Sequence, residues 1–319
     1  MNVLSLFDGM SCGQLALQRS GLKVSKYFAS EIDKYAMSIT QKNFPDTVQL
    51  GDVRGVYAEE GYLLTTGDNR AYKIDLLIGG SPCQDLSIAS RNRKGLEGER
   101  SGLFYEWVRL WKALQPRYFL LENVQMKAED QQIITDLLGV EPVFINSNLV
   151  SAQNRPRLYW TNIPVDGLPE DKGIKLADIL EDGATDRDKA HCIDANYFKG
   201  GNLKSYFQKN RRQLVFSPDG LCHVADADLK GHDLLRRVYH PAGKAPCLNT
   251  MNGGNREPKT LWGDKAWRKL TPLECERLQT VPDNYSAGVS NTQRYRMLGN
   301  GWTVDVICHL FKNLQIEGA

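Results

Sequence analysis

At 319 residues the chain exceeds the usual single-domain length, which predicts one large domain carrying a second, smaller module. With 41% hydrophobic and 24% charged residues and a mean hydropathy of −0.43, a mostly disordered or fibrous chain is excluded. No stretch reaches the roughly 20 apolar residues of a membrane span, MNVLSLFDGM lacks a secretory leader, and a net charge of +2 does not by itself announce a nucleic-acid binder, so a cytosolic protein is expected with its partner left open.

Up to about Asn162, short apolar runs alternate with amphipathic ones: VLSLF (Val3 to Phe7) then QLALQRS, KYFAS then IDKYAMSITQKNF, IDLLIGG then GLFYEWVRLWKAL, RYFLLEN then IITDLLG. Strands alternating with helices predict an α/β fold around a parallel sheet. Ligands of such sheets bind at the carboxyl ends of the strands. The residues to read are therefore Asp8 and Gly9, Glu31, Asp52, Ser81 to Gln84, and Glu122 with Asn123. Trp107, Leu110, Trp111 and Leu114 recur at helical spacing and read as core.

Beyond Asn162 the rhythm breaks. Residues 165–188 hold 8 acidic and 3 basic side chains, whereas residues 189–269 hold 15 basic and 7 acidic. This basic module, rich in Gly, Asn and aromatics, suits phosphates and base edges, although a solvated loop-rich insert would read the same way. Helical patterns resume at TPLECERLQ and TVDVICHLFKNL, which predicts a return to the first domain. The seven cysteines are odd in number and scattered with no C-x-x-C pair, so reduced thiols and no metal site are expected.

Four local signals carry chemistry. In GGSPCQ, Cys83 follows a proline at a strand exit, where a thiolate makes a strong nucleophile, though an isolated P-C pair also suits a packed turn. In LLENV, Glu122 ends a neighbouring strand; a carboxyl drawn into a cleft can act as an acid near neutrality, or can cap a helix or pair with a cation. In SAQNRPRLYW, Gln153, Arg155 and Arg157 fall at every second position, predicting one donor face on an extended segment. In FDGMSCG, Gly9 and Gly13 let a cofactor approach the backbone, and Glu31 and Asp52 are placed for ribose hydroxyls and an adenine amine. Neither a G-x-G-x-x-G nor a P-loop pattern is present, which disfavours a nicotinamide oxidoreductase or a nucleotide triphosphatase.

Together these residues resemble the cytosine-5 DNA methyltransferases, from Val3 to about Leu314. FDGMSCG resembles the first cofactor motif, Glu31 the ribose ligand, Asp52 and Val53 the adenine contacts, PCQ the nucleophile motif, ENV the acid motif and QNRPR the Q-x-R-x-R motif. RKLTPLECERLQTVPD (Arg268 to Asp283) is similar to the segment returning from the recognition region, and LGNG (Leu298 to Gly301) to the last cofactor motif. VLSLFDG, GGSPCQDLSI and LGNGW are most similar to the animal de novo branch and to single-domain bacterial and phage enzymes. SCG stands where many members have a glycine pair, and Trp302 where a small residue is common.

The resemblance implies a Rossmann-like S-adenosylmethionine-dependent methyltransferase domain with a smaller, loop-rich target-recognition domain. The expected boundaries are 1–165 catalytic, 166–267 recognition and 268–319 return. Cys83, Glu122, Arg155 and Arg157 are the implied catalytic residues. Phe7, Asp8, Gly9, Met10, Gly13, Glu31, Ile32, Asp52, Val53, Pro82, Leu103, Asn300 and Trp302 would hold S-adenosylmethionine and its product S-adenosylhomocysteine, without metal. Gln84, Ser87, Arg91, Arg93 and Lys94, from a loop that closes over DNA, are expected DNA contacts, with Gln153, Arg211, Arg212, Arg236, Arg237, Asn252 and Arg256. His191, His223, His232 and His240 read as structural or phosphate-facing. The implied partner is double-stranded DNA with the target cytosine flipped out, acted on by a monomer in the cytoplasm of a bacterial or phage-infected cell; a separately encoded restriction endonuclease is a companion the resemblance allows. The rivals are an RNA cytosine methyltransferase and a catalytically idle regulatory relative.

Overall fold

The computed structural model describes residues 1–65, 67–82, 102–201, 203–216, 223–226, 237–239, 259–260 and 267–315. β1 (Asn2–Leu6), β2 (Lys26–Ser30) and β3 (Val48–Gln49) are linked by α1 (Cys12–Arg19) and α2 (Lys34–Asn43). An antiparallel meander follows, β4 (Tyr57–Glu59), β5 (Tyr62–Thr65) and β6 (Arg70–Lys73). Then come β7 (Leu76–Gly80), α3 (Leu103–Leu114), β8 (Tyr118–Asn123), α4 (Ala128–Leu138), β9 (Val143–Asn146) and β10 (Pro156–Thr161).

These strands form a seven-stranded sheet in the order β3-β2-β1-β7-β8-β10-β9. β1, β7 and β8 are near-continuous apolar runs because both faces of a parallel strand are covered. Val3, Leu76, Ile78 and Leu120 face a core shared with α1; Leu4, Leu6, Leu77, Phe119 and Leu121 face Trp107, Leu110 and Leu114 of α3. The expectation of a purely parallel sheet is corrected at one end, where β10 runs antiparallel to both β8 and β9. The edge strand β9 returns into β10 by a short link, with no crossover helix between them. The result is a Rossmann-like sheet whose order reverses between β1 and β7, which opens a crevice at their carboxyl ends.

The later elements are α5 (Leu176–Ile179), α6 (Leu203–Lys209), β11 (Leu214–Phe216), β12 (His223–Asp226), β13 (Arg237–Tyr239), β14 (Lys259–Thr260), β15 (Trp267–Lys269), α7 (Pro272–Leu278), α8 (Asn291–Asn300) and α9 (Val304–Phe311). β11 pairs with β15, and β12, β13 and β14 form a separate small sheet. α7 begins in a capping box of Thr271 and Glu274 with proline in its first turn, a strong local helix start. α9 packs on α1, tied by Arg19 and Asp305 at 2.7 Å. Among the described residues, no helix is long and apolar enough to cross a membrane.

Candidate active site

The strand exits surround one cavity of about 720 Å³, within the range of small-molecule sites. Phe7, Asp8, Gly9 and Gly13 line it after β1, Glu31 and Ile32 after β2, Asp52 and Val53 after β3, and Pro82 after β7. Leu103, Glu122, Arg155, Arg157, Asn300 and Trp302 complete the predicted set on its wall. Met10, expected there, is instead buried at 1% exposure, and its carbonyl accepts a 2.7 Å hydrogen bond from the Tyr285 hydroxyl.

The acidic groups differ in their surroundings. Glu31 accepts from the main-chain N–H groups of Gly9, Ile32 and Asp33, each at 2.8 Å, which fixes its carboxylate at the mouth of β2. Gly9 has φ +60°, a conformation that favours glycine, and nothing lies within 4 Å of where a Cβ would stand. Burial pushes the Asp8 carboxyl up to about 6, although Ser11, Ser5 and Tyr27 hydrogen bonds pull it down. Its two oxygens are held by Ser11 and by the Tyr27 hydroxyl, the latter at 2.7 Å. Asp52 is bracketed by Arg54, whose guanidinium donates to both carboxylate oxygens; those hydrogen bonds hold it down at about 2. Ile32 is 74% exposed, and with Val53 and Leu103 it contributes apolar lining to the same cavity, suited to a flat ring.

At the other end of the cavity Glu122 is held from two sides. Its Oε1 lies 2.8 Å from Nε of Arg157, and its Oε2 accepts from the Trp302 indole N–H at 3.0 Å. Both partners are donors, and they come from separate parts of the chain. Behind it, Asn123 donates to the buried Ser81 hydroxyl at 3.0 Å, tying the ends of β7 and β8 together.

The three donors of QNRPR do not share a face. Gln153 is fully buried and donates to the Leu278 carbonyl and Gln279 side chain at 2.7 and 3.0 Å. Arg155, 3% exposed, donates to the carbonyls of Ile193, Gly299 and Gly301 and to Cys192 Sγ. Only Arg157 turns toward Glu122. The cause is the returning segment from Leu278 to Gly301, whose carbonyls take donors that an isolated extended strand would present to a ligand. Gln153 is therefore enclosed by the framework, and Arg155 serves the framework of the wall.

Of the other expected residues, Arg211 pairs with Asp194 at 3.0 Å and Arg212 donates to the Gly200 carbonyl at 2.7 Å. Cys83, Gln84, Ser87, Arg91, Arg93, Lys94, Arg236, Asn252 and Arg256 lie outside the described residues, as does the side chain of Arg237. His191 contacts Arg187 and stacks edge-on against Tyr206; burial pushes its imidazole down to about 4. Sequence reasoning missed Arg54 and Arg296, which line the cavity, and Tyr27, which holds Asp8. Arg54 was findable two residues after Asp52; Arg296 carries no local signal.

Residues 1–316 match the family model described as C-5 cytosine-specific DNA methylase. The orphan methyltransferase M.SPBetaI of Bacillus phage SPbeta is 26% identical over 444 aligned positions, covering 98% of this chain and 97% of the relative. M.SPRI of Bacillus phage SPR, also an orphan methyltransferase, is 24% identical with the same coverage. The Entamoeba histolytica methyltransferase EhMeth superposes with a TM-score of 0.66 at 16% identity over 99% of both chains. The S. pombe Dnmt2 methyltransferase gives 0.59 at 18%, over 98% of this chain and 97% of its own. At these identities the two structures speak for the fold.

Proposed function

This chain belongs to the C-5 cytosine-specific DNA methylase family, and from that premise we propose that it methylates carbon 5 of cytosine in duplex DNA at a short recognition sequence, with S-adenosylmethionine as donor and a covalent Cys83 adduct on a flipped-out base. The observation that carries this reading is that Glu122, gripped by Arg157 and Trp302, opens on the same cavity as Glu31 and Asp52.

The cavity's donor set fits the cofactor. Glu31 and Asp52 are acceptors for ribose hydroxyls and an adenine amine, and Ile32, Val53 and Leu103 offer an apolar wall to the purine. Gly9 keeps a side chain out of the space where the cofactor meets the backbone, Gly13 lets Ile78 and Trp302 pack close behind it, and Asp8 adds negative charge suited to a cationic ligand. When bound, S-adenosylmethionine supplies an electrophilic methyl on a sulfonium and leaves as S-adenosylhomocysteine.

The chain's own residues do the rest. Carbon 5 of cytosine is a poor nucleophile. The Cys83 thiolate bonds to carbon 6, and the ring electrons shift toward carbon 5 as the ring nitrogen beside the carbonyl gains a proton held at Glu122. Arg157 keeps Glu122 oriented and presents cationic donors to the ring carbonyl. After methylation a base takes the proton from carbon 5, the double bond re-forms, the ring nitrogen returns its proton to Glu122 and the thiolate leaves. The target cytosine must be out of the stack for any of this.

The test is to incubate purified protein with mixed-sequence duplex DNA and S-adenosylmethionine and to map 5-methylcytosine at base resolution. Methylation at one short motif, abolished in Cys83→Ala while DNA binding persists, is the expected result. Cofactor binding without methylation of DNA would overturn the reading, and methyl transfer to RNA instead would replace it.

A further inference from the structure

We propose that Trp302 is a positioning residue for the methyl-transfer step: its indole N–H, together with Arg157, fixes the orientation of the Glu122 carboxylate. The inference rests on the reading of Glu122 as the group that faces the base.

A carboxylate held through one oxygen still turns about its last bond. Glu122 is held through both, Oε1 by Arg157 of β10 at 2.8 Å and Oε2 by Trp302 after α8 at 3.0 Å. Donors from two separate elements thus define its plane. Preorganisation of this kind costs no rearrangement at the moment of reaction.

The indole has a seat of its own. A Cβ on Gly80 would stand 2.7 Å from Glu122 Oε2 and 3.1 Å from Trp302 Nε1, and one on Gly13 would stand 3.3 Å from the Trp302 ring. Any side chain at position 80 would wedge itself into the hydrogen bond. The main chain beside the indole is pinned independently, since the Gly301 carbonyl accepts from Arg155 at 2.8 Å and from Gln279 at 3.0 Å. Trp302 is therefore placed by the scaffold, and Glu122 is placed by Trp302. Because the ring also lines the cofactor cavity, loss of the whole side chain would confuse two roles. Trp302→Phe separates them, keeping a ring in the seat and removing the N–H.

The experiment uses the full chain as wild type, Trp302→Phe, Glu122→Gln and the double variant. With ¹⁵N-tryptophan, the indole resonance missing from Trp302→Phe should lie downfield in the wild type and move in Glu122→Gln. Single-turnover methyl transfer at saturating cofactor should fall about tenfold in Trp302→Phe, the scale of one lost hydrogen bond that orients a reacting group. Cofactor Kd should stay within about threefold, and in the Glu122→Gln background Trp302→Phe should cost no more than about twofold further. Should Trp302→Phe fail to fold, Gly80→Ala, which inserts a methyl between indole and carboxylate with Trp302 intact, should show the same rate loss. An indole resonance indifferent to Glu122→Gln, a loss expressed in cofactor Kd alone, or an undiminished loss in the Glu122→Gln background each overturns the assignment. A wild-type protein that transfers no methyl group overturns the functional reading instead, and the resonance test separates the two failures.

Discussion

The guanidinium of Arg155 donates to the Gly301 carbonyl at 2.8 Å, so a side chain from the strand-entry segment fixes the loop that carries Trp302. The same guanidinium reaches Gly299 at 3.1 Å and Ile193 at 3.1 Å. A lysine offers one compact charge and cannot span these acceptors. Arg155→Lys should lose about 2–4 kcal/mol in urea denaturation, as expected when buried carbonyls lose their donors. Cofactor affinity should fall with it, since Gly299 and Gly301 line the cavity. Unchanged stability with lost turnover would place Arg155 on the substrate after all.

Gly299 makes a second demand on the same loop. A Cβ there would stand 2.3 Å from the carbonyl carbon of Asp194 and 2.4 Å from the nitrogen of Ala195, both main-chain atoms. Neither can swing away as a side chain would. Gly299→Ala should therefore destabilise by about 3 kcal/mol or more, or yield no folded protein, by overpacking against a backbone with no room to give. Soluble expression and thermal melting decide it, and a melting temperature within a degree or two of wild type would contradict the packing described here. The glycine of LGNG, read from sequence as a cofactor motif, is at this position a requirement of backbone approach.

The acidic groups of the cavity were legible in the sequence because each follows an apolar run, and a buried parallel strand announces its own end. Asp8, Glu31, Asp52 and Glu122 were all found this way. What the pattern did not reveal depends on segments far apart in the chain. Gln153 and Arg155 look like ligand donors until the carbonyls of Leu278 and Gly301 arrive beside them. The meander from Tyr57 to Lys73 escaped notice because its strands are short and half exposed, with only Leu63 fully buried among its alternating residues. The antiparallel course of β10 is likewise set by pairing with β8, which no local period encodes.

Asp8 gives the protein a pH dependence whose sign follows from burial. Its carboxyl is raised to about 6 from 3.8, so the unfolded chain releases this proton before the folded one does. The stability it contributes is complete below the unfolded value and is lost as pH rises through the folded one. Across that window the loss should amount to about 2 kcal/mol, a little less than the full shift because the residue borders the cavity. Asp8→Asn removes the titration. Urea denaturation at about pH 4 and about pH 7 should therefore show wild type losing about 2 kcal/mol relative to Asp8→Asn. Parallel pH profiles for the two proteins would count against a buried Asp8 carboxyl.

Ile32 offers a way to separate cofactor affinity from everything else. It is 74% exposed in the free protein, so its side chain contributes little to the folded core. It nonetheless lines the same cavity as Val53 and Leu103, and on the proposed reading a bound purine would cover it. Truncation to alanine should leave stability within about 0.5 kcal/mol. Burial against the purine is worth about 1 kcal/mol for the atoms removed, so cofactor Kd should rise about fivefold. Because the contact is the same in the ground state and the transition state, kcat at saturating cofactor should not change. Calorimetric titration of Ile32→Ala with S-adenosylmethionine, beside initial rates on DNA, tests both halves. A fall in kcat at unchanged Kd would mean that Ile32 faces the reacting base and not the purine, and the adenine end of the cavity would have to be sought elsewhere along its wall.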